Sequence, residues 1–75
     1  MNKERRKKIR GVIDRLNDCT SDLETIKGEE DESRDNTPEG LQSGERYSQS
    51  EECSEILEDA ISGIQEAIEN IENII

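Results

Sequence analysis

Histidine, phenylalanine and tryptophan are absent from this chain, and tyrosine and proline occur once each. Without histidine the chain lacks the usual general base near neutral pH and the commonest metal ligand. With a single aromatic side chain it lacks the bulky groups that fill a sizeable core. Apolar residues make up 28% of the 75 positions against 40% charged, so one small domain is the most that the length and composition support. No stretch approaches eighteen apolar residues, which excludes a membrane-spanning helix. Met1 is followed by NKERRKKIR instead of an apolar leader, which predicts a cytoplasmic setting with reduced thiols.

What is present is charge and helical periodicity. The net charge of −10 is unevenly spread, because residues 1 to 15 hold seven Lys/Arg against Glu4 and Asp14 and the rest of the chain is strongly acidic. From Ile9 the apolar residues Ile9, Val12, Leu16, Cys19, Leu23 and Ile26 alternate by three and four, a heptad seam on a first helix. Gly28 after Lys27 offers a C-cap, and the helix is expected over residues 3 to 30 with its stable end between 28 and 34. Asn36, Pro38, Gly40 and Gly44 then mark a junction over residues 31 to 46, where Thr37 can cap a short turn with Pro38 in its first position. Leu41, its only large apolar residue, is expected to plug the hairpin end near Ile26. Asp35, Glu45 and Arg46 are positioned to lock the loop.

A second helix is expected over residues 47 to 75, with Ser48 and Glu51 as a capping box. Its apolar residues form three heptad rows: 57, 64 and 71; 60, 67 and 74; and 61, 68 and 75. DAISGIQ at 59 to 65 and EAIENIE at 66 to 72 are similar one heptad apart. That face is too broad for one neighbouring helix. The reading is therefore all-α: one domain over residues 1 to 75, an antiparallel, coiled-coil-like two-helix hairpin expected to assemble into a dimeric four-helix bundle. Antiparallel folding lays Lys3, Arg5, Arg6, Lys7, Lys8 and Arg10 beside Glu66, Glu69 and Glu72. A turn centred near residue 40 brackets Cys19 with Ala60 or Ile61 and Cys53 with Ile26, so both thiols are expected to act as small buried hydrophobes.

No nucleophile with a base, tuned carboxylate pair, metal-ligand spacing or phosphate-cradling loop is legible, so no enzyme activity and no cofactor are expected. The carboxylates lack DxDxDG spacing, which argues against a specific calcium site. Three surfaces remain as candidates. One is an oligomer or partner face of Ile56, Ile61, Ile64, Ile68, Ile71 and Ile75. The second is an acidic surface of Glu29, Glu30, Asp31, Glu32, Glu51, Glu52 and Glu55, where rows of carboxylates imitate phosphates toward a basic protein, although a solvated face is the plainer reading. The third is the basic segment Arg5, Arg6, Lys7 and Arg10. It lacks interleaved aromatics, so direct nucleic-acid binding is not expected; gathered between subunits, it offers a site for an anionic small ligand.

NKERRKKI, the EEDESRDNTPEGLQSGERY junction and LEDAISGIQEAIENIENII together resemble a group of small acidic proteins from phages and prophages of low-GC Gram-positive bacteria. The shared features are a DNxPExLQxxER junction, matched by Asp35, Asn36, Pro38, Glu39, Leu41, Gln42, Glu45 and Arg46, and EEAI-type heptads. The chain departs from that pattern in its glycines. The resemblance spans nearly the whole chain and implies no activity of its own. It implies a mobile-element context, in which short acidic proteins act on host or phage proteins by binding and modulating them; the acidic surface, read by itself, makes a basic nucleic-acid-binding or defence nuclease protein an alternative partner.

Overall fold

The computed structural model describes residues 1–75 as two long antiparallel helices joined by one short turn, in a rod of 60 × 15 × 12 Å. Helix α1 spans Lys3–Asp35, a single 3-10 turn spans Glu39–Leu41, and helix α2 spans Glu45–Glu72. No helix is long and apolar enough to cross a membrane.

The first helix starts where the Asn2 side chain accepts a hydrogen bond from the Arg5 amide at 2.9 Å, satisfying one of the free N–H groups of its opening turn. It runs five residues beyond the expected end, straight through Gly28. The reason is tertiary: the segment after the glycine is tied down by Lys27 to Asp31 within the helix and by bonds from Arg34 and Asp31 to the second helix. The chain leaves α1 at Asn36, whose amide reaches the Glu32 carbonyl at 3.2 Å.

The turn closes by backbone bonds, Leu41 N–H to the Pro38 carbonyl at 2.9 Å and Gly44 N–H to the Leu41 carbonyl at 3.2 Å. No residue adopts positive φ. Gly44 is favoured by crowding instead, because a Cβ there would lie 3.2 Å from the Leu41 carbonyl oxygen. Several details differ from the sequence reading. Pro38, not Thr37, precedes the 3-10 turn, and Thr37 donates instead to the Ser33 carbonyl. Leu41 is 63% exposed and plugs nothing, since the last turn of α1 already closes that end. Gln42 bonds the Thr37 carbonyl across the loop, and no ion pair joins Asp35, Glu45 and Arg46. The second helix begins at Glu45 behind Gly44, two residues before the expected start, so Ser48 and Glu51 lie inside it.

The seam between the helices is a heptad seam displaced from the expected one. On α1 the burial follows Ile9, Ile13, Leu16, Thr20, Leu23 and Lys27, while Val12, Cys19 and Ile26 are exposed. On α2 it follows Ser54, Leu57, Ile61, Ile64, Ile68 and Ile71. Thr20 is tolerated inside because its hydroxyl donates to the Leu16 carbonyl at 3.0 Å, leaving the methyl for the seam. Both thiols are therefore exposed, not buried. Arg34 bonding to Ser50 and Ser54, and Lys27 beside Glu58, set the register, in which Cys19 comes level with Ala67 and Ile26 with Ala60. The turn is centred two to three residues later than expected, and this moves each thiol away from its anticipated neighbour.

Candidate interaction surface

Naming the seven heptad positions a to g, with Ile13, Thr20, Ser54, Ile61 and Ile68 at position a, gives the hairpin two unlike sides. In an antiparallel pair, positions e of both helices flank the seam on one side and positions g on the other.

The e side is polar and bonded near the turn. Asp31 accepts from Lys27 at 2.9 Å, from Arg34 at 2.8 Å and from the Ser54 hydroxyl at 2.6 Å. Arg34 also donates to the Ser54 hydroxyl at 2.8 Å and to the Ser50 carbonyl at 3.2 Å, and the Ser50 hydroxyl donates to Glu30 at 2.7 Å. No buried side-chain polar atom lacks a partner. The Ser54 hydroxyl, with Lys27 and Arg34, holds the Asp31 carboxyl well below the usual carboxylate range. Asp31 in turn raises Lys27 and Arg34 above their ordinary values, against the opposing effect of partial burial. On the opposite, g side of the seam, against the turn, lies an open cavity of about 480 Å³, with Tyr47 and Leu41 on its apolar wall and Arg34, Arg46, Glu30 and Glu45 around it.

The g side is different. All nine carboxylates of α2 lie at positions b, e and f, and none at c or g. From Gln49 to Ile74 those two rows read Gln49, Cys53, Ile56, Ala60, Gly63, Ala67, Asn70 and Ile74, an unbroken uncharged strip along a helix otherwise crowded with acid. Ile56 is 59% and Ile74 55% exposed. On α1 position g carries Val12, Cys19 and Ile26, the last 51% exposed. The seam itself leans toward this side. All five buried residues are at position a, whereas the apolar residues at position d, which border position g, are only half-buried. On the e side Glu58 reaches the seam residue Lys27 at 3.7 Å; on the g side the half-buried positions d are left open beside uncharged rows.

The expected surfaces map onto this geometry unevenly. Of the proposed oligomer face, Ile61 and Ile68 are buried in the intramolecular seam and Ile64, Ile71 and Ile75 are half-buried along it, so only Ile56 is free. The exposed face is the row of Cys53, Ala60, Ala67 and Ile74, joined by Val12, Cys19 and Ile26. Among the acidic candidates, Glu30 and Asp31 are half-buried and hydrogen-bonded, whereas Glu29, Glu32, Glu51, Glu52 and Glu55 face outward. Arg5, Arg6, Lys7 and Arg10 fan around the first turns of α1 and converge on nothing within the chain. Folding back brings that basic start to the acidic end of α2, but the three ion pairs of the molecule all lie between Lys27 and Glu58, nearer the turn. No cluster of three or more carboxylates or thiols is placed to hold a metal ion.

The uncharged side was missed from sequence because its signal is negative. It is visible as rows from which every charge is missing, and it becomes legible only once the seam is correctly phased. No protein-family model matches the chain, and no characterised protein or solved structure shows significant similarity to it.

Proposed function

We propose that the chain is a non-catalytic helical interaction module that works as a homodimer, two hairpins forming a four-helix bundle, and binds a basic protein through its acidic faces. The segregation of charge carries this reading: nine carboxylates on three outward rows of α2, none on the two rows beside the uncovered edge of the seam. A merely solubilising surface has no reason to spare those rows, whereas a helix that must meet one partner dry and another electrostatically does. In the mobile-element setting that the junction resembles, the basic partner is a host or phage protein in the cytoplasm whose action the dimer modulates.

Glu51, Glu52 and Glu55, all exposed on α2, favour a specific form of this reading, in which the rows of carboxylates stand in for phosphates and occupy the groove of a nucleic-acid-binding or nuclease partner. The anionic-ligand alternative gains less support, because the four basic side chains diverge within one chain.

Light scattering after size exclusion, in low and high salt, tests the assembly: the dimer is expected to persist in high salt because apolar burial is not screened. A folded monomer at micromolar concentration overturns it. For the acidic faces, the triple variant Glu51→Gln, Glu52→Gln, Glu55→Gln is compared with the parent for binding to a basic DNA-binding protein, with duplex DNA as competitor. Weaker binding by the variant and displacement by DNA are expected; equal binding by both proteins overturns the electrostatic reading.

A further inference from the structure

The geometry of the dimer follows from charges that the hairpin leaves unpaired, and it rests on the dimer proposed above. Along the outer margin of the uncovered side, α1 carries Lys8, Arg15, Asp22 and Glu29 at successive positions c: two bases followed by two acids. All four are exposed and none takes part in an ion pair. A row of that sign pattern is complementary to itself when reversed.

We infer that the uncovered side is occupied by a second copy of this chain, laid face to face with its turn at the opposite end, α1 antiparallel on α1, with the two-fold axis crossing α1 between Asn17 and Asp18. In that register Lys8 lies beside the partner's Glu29 and Arg15 beside the partner's Asp22, each pair occurring twice by symmetry. The apolar residues give nearly the same axis independently: the charge pairs centre between Asp18 and Cys19 and the apolar pairs one residue earlier, between Asn17 and Asp18, an offset of about 1.5 Å that long charged side chains span. There Val12 is level with the partner's Leu23, Leu16 with its Cys19 and Ile9 with its Ile26, so each half-buried position d gains an apolar neighbour from position g.

On the second helix the matching pairs, Ala67 with the partner's Ile64 and Ala60 with its Ile71, centre between Gln65 and Glu66, two to three residues from the point level with the α1 axis, an offset of less than one helical turn. Gly63 lies on this strip, and a Cβ built on it meets nothing within 4 Å in its own chain. Its own chain therefore gives no reason for a residue that weakens a helix interior; close approach of the partner helix gives one. The alternative two-fold, with both turns at one end, sets the charged margin of α1 against the uncharged strip of α2 and matches no charge. The chosen arrangement turns both acidic e sides outward, so the bundle presents its acid on two opposite faces.

The arrangement puts the two Cys19 thiols within about one helical turn of each other across the axis, and the two Cys53 thiols about 40 Å apart at 1.5 Å per residue. A short bis-maleimide applied to the reduced, full-length protein should join Cys53→Ser chains into covalent dimers through Cys19 and leave Cys19→Ser chains unjoined. A second arm uses charge. Lys8→Glu with Arg15→Glu gives an all-acidic margin, and Asp22→Lys with Glu29→Lys an all-basic one. Each is expected to weaken its own dimer about tenfold, and the mixture is expected to form heterodimers above the statistical proportion. A protein that scatters as a dimer but shows neither the Cys19 link nor heterodimer preference overturns the arrangement while leaving the dimer standing. A folded monomer overturns both. The four substituted residues are exposed, and unchanged circular dichroism separates lost association from lost folding.

Discussion

The two halves of the hairpin are closed by different chemistry. From Ile9 to Leu23 and from Leu57 to Ile75, positions a and d carry isoleucine and leucine on both helices, with Thr20 the one exception. Toward the turn the same positions carry Lys27, Glu30, Arg34, Ser50 and Ser54, which together with Asp31 at position e are joined by hydrogen bonds of 2.6 to 3.3 Å. The apolar half supplies non-directional burial, but it is nearly repetitive: sliding α2 by one heptad replaces Ile61 with Ile68 and Ile64 with Ile71. The polar half has no such degeneracy, since Arg34 and Asp31 find serine hydroxyls at one register only. Stability thus resides mainly near the termini and alignment near the turn, a division seen where a polar residue in a helical seam fixes register at some cost in stability.

The largest effect expected from that division is in the apolar half. Ile61→Ala and Ile68→Ala each remove a side chain no more than 5% exposed and should cost about 2 to 4 kcal/mol. For a hairpin of this size that is most of its stability. Thermal unfolding followed by helical circular dichroism checks this, with Ile56→Ala as the control: an exposed isoleucine on the same helix should change stability by less than about 0.5 kcal/mol when the protein is monomeric. Equal losses at 56 and 61 contradict the phasing of the seam.

The polar half can be broken in two ways with opposite signs. Ser54→Ala leaves Asp31 and Arg34 without their shared hydroxyl and should cost about 1 to 3 kcal/mol. Replacing Asp31, Arg34, Ser50 and Ser54 together by leucine should instead raise the midpoint of unfolding, because an apolar seam avoids desolvating charge. The leucine variant should also lose its single register, seen as extra or broadened amide resonances. A variant that is more stable and still gives one set of resonances refutes the alignment role.

The same comparison explains what was legible beforehand. Two helices, their antiparallel sense and an apolar excess on α2 follow from three-and-four spacing and from the turn residues. The phase of α1 does not, because Ile9, Leu16 and Leu23 belong to both possible seams. Val12, Cys19 and Ile26 complete the more apolar of the two; Ile13, Thr20 and Lys27 complete the one that forms. What decides is 16 to 23 residues away in sequence: Arg34 and Asp31 must meet Ser50 and Ser54, and only the second phase turns them inward. Local periodicity carries no information on such a pairing, so the buried thiols and the Ile-rich partner face were misplaced together.

Acid should unlock the turn half first. The folded-state value of Asp31 is depressed, so its contribution is fully present above its unfolded value of about 4 and is lost progressively as pH falls below that. Lys27 has a raised value, so its share is present below about 10.5 and is lost as pH rises beyond it. Hydrogen exchange is expected to show amides of residues 27 to 35 and 47 to 58 opening before those of 9 to 23 as pH drops from 5 to 2. In Asp31→Asn that acid-dependent difference should shrink, since the titrating group is gone. Unchanged acid sensitivity would place the responsible carboxylate elsewhere.

The smallest effect should have the opposite sign. Gly28 lies inside α1 with ordinary helical geometry around it, and a Cβ there meets nothing within 4 Å. Its helix continues only because the polar network beyond it is anchored on α2. Gly28→Ala should therefore add about 0.5 to 1 kcal/mol by removing backbone freedom from the unfolded chain, and it should partly restore helicity in Ser54→Ala. Gly44→Ala should not stabilise, because its Cβ would press on the Leu41 carbonyl oxygen at 3.2 Å. If Gly28→Ala instead destabilised the protein, the glycine would be a hinge that the hairpin uses, and the two halves would be mechanically separate rather than one continuous rod.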